Sequence, residues 1–453
     1  MNTDVSRGGR AKRSPSLAAF LSFLWPGLGQ WYAGRRRSAL VFAVPVALAF
    51  VAIAAQASGG IPELALELFT PSFALTALIL VALLGLWRLI AIVDAVGATG
   101  GRRAVRAPAV GALVVVLLGT TVAVHAVMGY YTWTFYQAGT DIFRGVPDPD
   151  GGVAAAPGTT AKPGPILVAT PFATPATAKD RINVLLTGID SGPSRSQKLN
   201  DTLIVVSIDP ETNDVAMVSF PRDLSRLPLW DGRTYNGKIN SLMTYAQSHR
   251  SEFPDGGLPT LMKELGFLLG VPIHYYAAID LDGFVRMVEL VGGVDVDNPK
   301  EIDDPGYGGW TKGHPIGFHL SAGKHHLDGE EALAYVRSRK GAGDNDFTRS
   351  RRQQQVLVAL GRKLSDPTML PKLPDLVRAA GDTIRTNFPP DRLHEMLDIG
   401  QGVGDDAIQR FVLGPPYATY PSPSNGTYEL IPDLDRIAKL SIKLFGAESA
   451  YAR

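Results

Sequence analysis

Four apolar stretches fill most of the first 136 residues and limit how the chain can fold. Three of them hold 19 to 21 residues, and a helix of that length, rising 1.5 Å per residue, crosses the roughly 30 Å hydrocarbon core of a bilayer. The first stretch is shorter and is interrupted at Trp25-Pro26-Gly27, which predicts a re-entrant or interfacial segment. The stretches are Leu17–Ala33, Ala39–Ala57, Phe73–Val93 and Ala109–Gly129. We therefore predict a membrane region over residues 1–136 with three spans and one segment that dips in and returns.

Basic residues predict the orientation of these spans, because positively charged loops stay on the cytoplasmic side. Clusters of arginine and lysine lie at Arg7–Arg13, Arg35–Arg37 and Arg102–Arg106. If all three clusters are inside, three spans cross and the large C-terminal part of the chain is outside the cytoplasm. A four-span arrangement remains open, but it puts one basic cluster outside or leaves the large domain inside.

Composition excludes several classes of protein. The 44 basic and 43 acidic side chains leave a net charge of +1, which argues against a nucleic-acid partner bound through bulk charge. The chain has no cysteine, so a disulfide scaffold, a cysteine nucleophile and a Cys-ligated metal are excluded. Residues 137–179 are rich in Pro, Ala and Thr, which predicts an extended linker.

Residues 180–453 alternate short β-branched runs with longer amphipathic stretches, and this pattern predicts an α/β or α+β layered sheet. The runs at Arg181–Gly188, Thr202–Ile208 and Val215–Phe220 are interpreted as a strand followed by a hairpin. Further strands are predicted at Ile273–Ile279, Val294–Val296 and Gln409–Leu413, and helices at Leu258–Leu269, Leu281–Val291, Glu330–Ser338, Phe347–Leu364, Leu373–Ala380 and Asp391–Gly400.

Two carboxylates lie at neighbouring ends of the first two predicted strands. Asp190 follows one strand and Asp201 precedes the next. Together they suit a divalent cation, above all Mg²⁺, which prefers oxygen ligands and a phosphate partner. The alternative is that both are turn or cap residues.

An arginine cluster follows in Tyr335–Gln355. In a helix beginning at Phe347, Arg349, Arg352 and Gln353 share one face, and guanidinium groups bind phosphate oxygens bidentately. The cluster therefore indicates diphosphate binding, with a solvated basic face as the alternative. Arg222 ends an earlier strand and points into a site or pairs with Asp223 or another acid, whereas Asp346 is a candidate helix cap.

Six ordered segments carry a family resemblance over about residues 180–445. The segments are Gly188-Ile189-Asp190, Asn200-Asp201-Thr202, Ser219-Phe220-Pro221-Arg222-Asp223, Lys238-Ile239-Asn240, Tyr335-Val336-Arg337-Ser338-Arg339 and Asp346-Phe347-Thr348-Arg349-Ser350-Arg351-Arg352-Gln353-Gln354. In type, order and spacing they resemble the LytR–CpsA–Psr (LCP) family. That resemblance implies a three-layer α–β–α domain with a mixed central sheet and an apolar groove for a polyprenyl chain. The chain departs from the family pattern at Leu199, where the family often has arginine, and in its several apolar stretches, where one anchor is typical.

The resemblance implies a phosphotransferase of the bacterial cytoplasmic membrane. Such enzymes attach glycopolymers of the teichoic acid, capsule or arabinogalactan type from polyprenyl diphosphate carriers to peptidoglycan. By motif, Asp190 and Asp201 are expected to hold Mg²⁺ or Mn²⁺. The diphosphate-binding set is expected to comprise Arg222, Lys238, Arg337, Arg339, Arg349, Arg352 and Gln353, with Lys238 and Arg352 assigned less firmly.

Catalysis is expected to use Asp346, Arg222, Arg337 and Arg339, with Asp346 orienting or deprotonating the attacking hydroxyl. The lipid groove is expected to involve Leu258–Leu269, Phe284, Val285 and Val288, with ordinary core packing as the alternative for each of these residues. Two alternatives remain at this point: a polyprenyl diphosphate phosphatase with water as acceptor, and a non-enzymatic envelope sensor or transcriptional attenuator.

Overall fold

The computed structural model describes residues 13–99, 107–144, 180–190, 199–308, 316–396, 403, 407–421 and 428–452. The chain forms two compact units, Met1–Gln137 and Ala138–Arg453.

The N-terminal unit is helical. Its helices are α1 (Pro15–Leu24), α2 (Leu28–Tyr32), α3 (Arg36–Gln56), α4 (Ile61–Glu67), α5 (Pro71–Thr99) and α6 (Pro108–Ile142). In the described part of the chain, α3, α5 and α6 have the length and apolar composition needed to cross a membrane. The helix α6 continues to Ile142, so the boundary predicted at 136 lies within a helix. Residues 145–179 lie outside the described part, and the linker predicted there stays a prediction.

The predicted interruption in the first apolar stretch separates α1 from α2 at Trp25–Gly27. Gly27 has a φ of 103°, and a Cβ atom there would lie 2.4 Å from the carbonyl oxygen of Ala39, so this turn requires glycine. A buried polar group then holds α2 against α5: Gln30 donates hydrogen bonds to Ala91 O at 2.8 Å and Asp94 at 3.2 Å. The first stretch is thus two short helices with a sharp turn between them.

A mixed six-stranded sheet forms the centre of the second unit, with the strand order β11-β6-β1-β2-β3-β12. The strands are β1 (Ile182–Asp190), β2 (Leu199–Ile208), β3 (Val215–Ser219), β4 (Leu227–Pro228), β5 (Thr234–Tyr235), β6 (Tyr275–Asp280), β7 (Val294–Asn298), β8 (Ile302–Asp304), β9 (Phe318–Leu320), β10 (Gly323–Leu327), β11 (Ile384–Thr386), β12 (Ile408–Val412), β13 (Ala418–Thr419) and β14 (Ile431–Pro432). The first three pair antiparallel, whereas β1 with β6 and β3 with β12 are parallel. This confirms the predicted mixed sheet.

Helices cover both faces of the sheet. They are α7 (Ile239–Ser248), α8 (Gly257–Leu269), α9 (Leu281–Leu290), α10 (Gly329–Arg337), α11 (Asp346–Leu364), α12 (Leu373–Thr383) and α13 (Leu434–Phe445). Short 3-10 turns complete the chain at Ala57–Gly59, Pro367–Lys372, Pro390–Arg392, Gly446–Glu448 and Ala450–Ala452.

Alternation along β2 assigns these helices to the two faces. Leu203 and Val205 pack into a core cluster that includes residues of α7, α8 and α13. Ile204 and Val206 face the other way and pack with Leu357 and Val358 of α11. The three-layer α–β–α arrangement is therefore confirmed.

Candidate active site

An apolar pocket of about 310 Å³ lies between the sheet and the helix layer that contains α9, α10 and α11. Its apolar wall includes Leu186, Phe284, Leu333, Val336 and Leu357. A volume of this size is typical of a small-molecule or cofactor site.

The structure distinguishes groove from core among the predicted groove residues. Phe284 lines the pocket, whereas helix α8 (predicted as Leu258–Leu269) packs into the core on the opposite face of the sheet. Val285 and Val288 belong to a cluster between α9, α10 and the neighbouring strands, against which Phe284 also packs, but neither valine lines the pocket. The sequence pattern identified all of them as apolar but did not distinguish lining from core.

Cationic and amide side chains form the polar end of this pocket. Arg222 comes from the segment after β3, Arg337 and Arg339 from the C-terminal end of α10, and Arg349 and Gln353 from successive turns of α11. The structure thus brings together five predicted diphosphate-binding residues, drawn from three separate segments. Gln353 also forms a hydrogen bond to α10, in which its Nε2 donates to Val336 O at 3.3 Å.

Asp346, the first residue of α11, lies among three of these arginines. Its Oδ1 atom is 3.1 Å from Arg349 Nη2, 3.8 Å from Arg222 Nε and 3.9 Å from Arg339 Nη1. The helix cap predicted at Asp346 is instead Asn345, whose side chain accepts from the backbone N–H groups of Phe347 and Thr348. The carboxylate of Asp346 therefore faces the arginines, and its negative charge reduces the repulsion between their guanidinium groups.

A second carboxylate, Asp223, lies beside Asp346. It accepts a hydrogen bond from Lys238 and is 3.7 Å from Arg222. Burial raises the pKa of Asp223, and the nearby Asp346 carboxylate raises it further, whereas Lys238 lowers it. Lys238 does not line the pocket, and its ammonium group contacts Asp223, so its predicted diphosphate contact stays a prediction.

Arg352 also points away from the pocket. Its guanidinium group donates to Ser338 O at 2.5 Å and Asp344 at 3.1 Å, and it lies over the Tyr335 ring. The residue is 5% exposed. These contacts favour a positioning role over the predicted diphosphate contact, because they hold the backbone between Arg337 and Arg339.

Two positioning residues were missed by the sequence interpretation. Asp304 accepts hydrogen bonds from Ser338 Oγ at 2.8 Å and from the N–H of Arg339 at 3.2 Å. Gln354 donates to Ser219 Oγ at 2.8 Å and so links α11 to the end of β3. Asp304 lies in no recognised motif, and Gln354 gave no signal beyond its place beside Gln353.

The backbone places Asp190 and Asp201 at the same end of the β1–β2 pair. Asp190 pairs with Leu199 and Ile189 with Asn200. The next pair is Gly188 with Thr202, so Asp201 occupies an irregularity in the register. The backbones of both residues therefore lie at one end of the sheet, next to the pocket-lining Thr187, Gly188 and Thr202, and their predicted role as ligands of a divalent cation stays a prediction.

The combined geometry suits an amphiphile. An apolar pocket can accommodate a hydrocarbon chain, and guanidinium groups at its polar end can bind a phosphate group bidentately.

Comparison with known proteins is consistent with this geometry. Residues 161–443 match the model of the LytR_cpsA_psr family. The chain is 33% identical over 224 residues to the polyisoprenyl-teichoic acid–peptidoglycan teichoic acid transferase TagV of Bacillus subtilis, covering 49% of this chain and 53% of that protein. It is 29% identical over 238 residues to the corresponding transferase TagU of Halalkalibacterium halodurans, covering 52% of this chain and 71% of that protein. The chain thus spans about half the length of TagV and 71% of the length of TagU.

Solved structures give similar matches. The crystal structure of B. subtilis TagV aligns with 58% of this chain and 97% of its own, at 31% identity and a TM-score of 0.46. A structure of TagT bound to LI-WTA aligns with 59% of this chain and 90% of its own, at 25% identity and a TM-score of 0.44.

Proposed function

We propose that this chain, which belongs to the LytR_cpsA_psr family, is a membrane-anchored phosphotransferase that attaches a glycopolymer from a polyprenyl diphosphate carrier to peptidoglycan. The observation that carries the proposal is the convergence of Arg222, Arg337, Arg339 and Arg349 at the polar end of one apolar pocket. The relatives named above support it, because their names give teichoic acid transfer to peptidoglycan. The polymer is of the teichoic acid, capsule or arabinogalactan class.

In this reaction the polyprenyl chain lies in the apolar pocket and the arginines contact the diphosphate. A sugar hydroxyl of peptidoglycan attacks the phosphorus linked to the glycan, and the bond from that phosphorus to the bridging oxygen breaks. Polyprenyl phosphate leaves with the bond electrons, and the guanidinium groups stabilise its growing charge. The glycan is then joined to peptidoglycan through a phosphodiester.

The two carboxylates take different parts. Asp346 lies within 4 Å of three guanidinium groups, so it orients them and stays in place during transfer. Asp223 is buried, has a pKa raised by that burial and lies beside Asp346, which makes it the better acceptor for the hydroxyl proton. Of the two roles expected for Asp346 from the sequence, orienting or deprotonating the hydroxyl, this proposal gives the proton to Asp223.

Asp190 and Asp201 would hold Mg²⁺ or Mn²⁺ at the adjoining sheet end. A divalent cation bound there neutralises charge on the diphosphate.

Membrane attachment suits a lipid-borne donor, because enzyme and carrier are confined to one surface. The three apolar helices α3, α5 and α6 supply the anchor. We further propose a multi-pass arrangement in the bacterial cytoplasmic membrane with the C-terminal domain outside, since the basic clusters then all stay inside.

The test uses the full chain in lipid nanodiscs with Mg²⁺, a polyprenyl-diphosphate-linked oligosaccharide and peptidoglycan fragments. Joined product is expected, and Arg337→Ala and Asp201→Ala abolish it. Arg351→Ala serves as the matched control, because Arg351 is an exposed arginine of α11 that does not line the pocket. Release of glycan phosphate without joining would contradict transfer and establish the diphosphatase. Lipid binding without any turnover would support a sensor.

A further inference from the structure

Two exposed tyrosines lie beside the charged centre and take no part in the core. The side chains of Tyr420 and Tyr428 are 48% and 67% exposed. Their ring centroids are 6.0 Å apart and the rings are inclined at 75°. Neither ring lines the apolar pocket. Packing therefore does not explain why two large aromatic rings are held together in solvent.

The chain on either side of the tyrosines is firmly attached to the segment that carries Asp223. The short strands β13 and β14 pair antiparallel, with Thr419 opposite Ile431. The N–H of Leu430 donates to Asp223 O at 3.0 Å, and Leu430 O accepts from Ser225 N at 2.9 Å. Tyr420 directly follows β13, and Tyr428 precedes Leu430 by two residues. The backbone next to both tyrosines is therefore held close to the segment that carries Asp223.

A second contact joins the segment that leads into β13 to the beginning of α11. Gly414 lies against the Phe347 ring, where a Cβ atom would come within 2.5 Å of Phe347 Cδ1. Phe347 is the neighbour of Asp346 in sequence. Burial raises the pKa of Tyr420, and negative charge on Tyr428, Asp346 and Asp223 raises it further, which reflects how near Tyr420 is to the two carboxylates.

Paired, exposed aromatic faces beside the proposed transfer centre suit one class of ligand in particular. A pyranose ring presents a face of C–H groups that packs on an aromatic ring, and its hydroxyls remain free for hydrogen bonds. The hydrocarbon part of the donor is accounted for by the apolar pocket, and its diphosphate by the arginines. Tyr420 lies near Asp223 and Asp346 and packs with Tyr428, and neither ring lines the apolar pocket, so the pair remains available to the saccharide part of a substrate.

We propose that Tyr420 and Tyr428 form a saccharide-binding platform that receives the acceptor glycan and presents its hydroxyl to the Asp223–Asp346 pair. The assignment of the saccharide as acceptor rests on the transfer reaction proposed above. The platform itself is a binding site whose existence is measurable without turnover.

The experiment measures glycan binding and transfer separately, with the full chain in nanodiscs. Calorimetry with soluble peptidoglycan glycan fragments gives the acceptor affinity, and transfer rates give the KM values for acceptor and for lipid-linked donor. We expect Tyr420→Ala and Tyr428→Ala each to weaken acceptor affinity by about fivefold, the scale of one aromatic contact. Tyr420→Trp is expected to keep the affinity because it keeps a stacking face. Ile316→Ala is the control, since Ile316 is an exposed apolar residue of the same domain.

Acceptor affinity that is unchanged in both alanine variants would overturn the platform. An increase in donor KM with unchanged acceptor KM would also overturn it, because the rings would then serve the donor glycan. Weakened activity in nanodiscs with unchanged glycan affinity would contradict it in favour of contact with the bilayer. If glycan binding depends on the tyrosines but no transfer occurs, the platform is retained and the proposed function is rejected. If transfer occurs and is insensitive to both tyrosines, the proposed function is retained and the platform is rejected.

Discussion

The Oδ1 atom of Asp346 lies 3.1 Å from Nη2 of Arg349, one turn later on α11. The same oxygen lies within 4 Å of Arg222 and Arg339, which come from two other segments of the chain. One carboxylate thus stabilises the close approach of three cationic groups that would otherwise repel one another. We predict that the geometry of the arginine cluster depends on this pairing.

Replacement of Asp346 by asparagine tests that dependence. Asp346→Asn keeps the size of the side chain and removes its charge, so the arginines lose their common partner while the site becomes more cationic. We expect kcat for transfer to fall about a hundredfold, whereas affinity for inorganic diphosphate is unchanged or higher. Initial rates and diphosphate competition measure the two quantities. An unchanged kcat would contradict the positioning role.

Arg352 and Arg351 are adjacent arginines that are expected to respond differently to the same substitution. Arg352→Ala removes a buried cation from Ser338 O and Asp344, so the free energy of unfolding should fall by about 3 kcal/mol. Arg351→Ala removes an exposed side chain and should change the unfolding free energy by less than about 0.5 kcal/mol. Urea denaturation of the full chain provides both values. An equal loss of unfolding free energy in the two variants would show that Arg352 stabilises the fold no more than Arg351 does.

The sequence specified the layers and the arginine cluster, because periodicity and motif spacing are local properties. The β-branched run at Thr202–Ile208 predicts a strand, and the structure confirms it in β2, whose residues pack on both faces of the sheet. The same local information did not separate Arg349 from Arg352, since both lie on one face of α11. Only the packing of α10 against α11 shows that Arg349 faces the pocket, whereas Arg352 faces the backbone of Ser338.

The acidic residues were harder to assign for a related reason. Asp346 and Asp223 are 123 positions apart in sequence, and their proximity depends on where β3 ends relative to the start of α11. Asp304 belongs to no motif and acquires its role only because its strand ends beside Ser338. Long-range pairing of this kind cannot be derived from spacing along one chain.

The apolar wall of the pocket is tested by two neighbouring residues of α9. Phe284 and Val285 both pack against the same core cluster, but only Phe284 also lines the pocket. Phe284→Ala should weaken binding of a polyprenyl phosphate about tenfold, since it removes apolar surface from the lipid site. Val285→Ala should lower stability without changing lipid affinity. Fluorescent polyprenyl phosphate titration distinguishes the two, and equal effects on affinity would argue against the assigned lipid site.

His274 predicts how stability depends on pH. Burial lowers its pKa from 6.5 to about 4, with Arg392 as a second cause, and its Nδ1 accepts a hydrogen bond from Asn183 N at 3.0 Å. A histidine whose pKa is lower in the folded state contributes stability that is complete above pH 6.5 and is lost as the pH falls through 4. The resulting loss in the free energy of unfolding should reach about 3 kcal/mol. His274→Asn keeps an acceptor but does not titrate, so its unfolding free energy should change less than that of the unmodified chain between pH 7 and 4. His394→Asn, at an exposed histidine, should follow the unmodified chain. An acid loss in His274→Asn that is identical to that of the unmodified chain would assign the pH dependence to other groups.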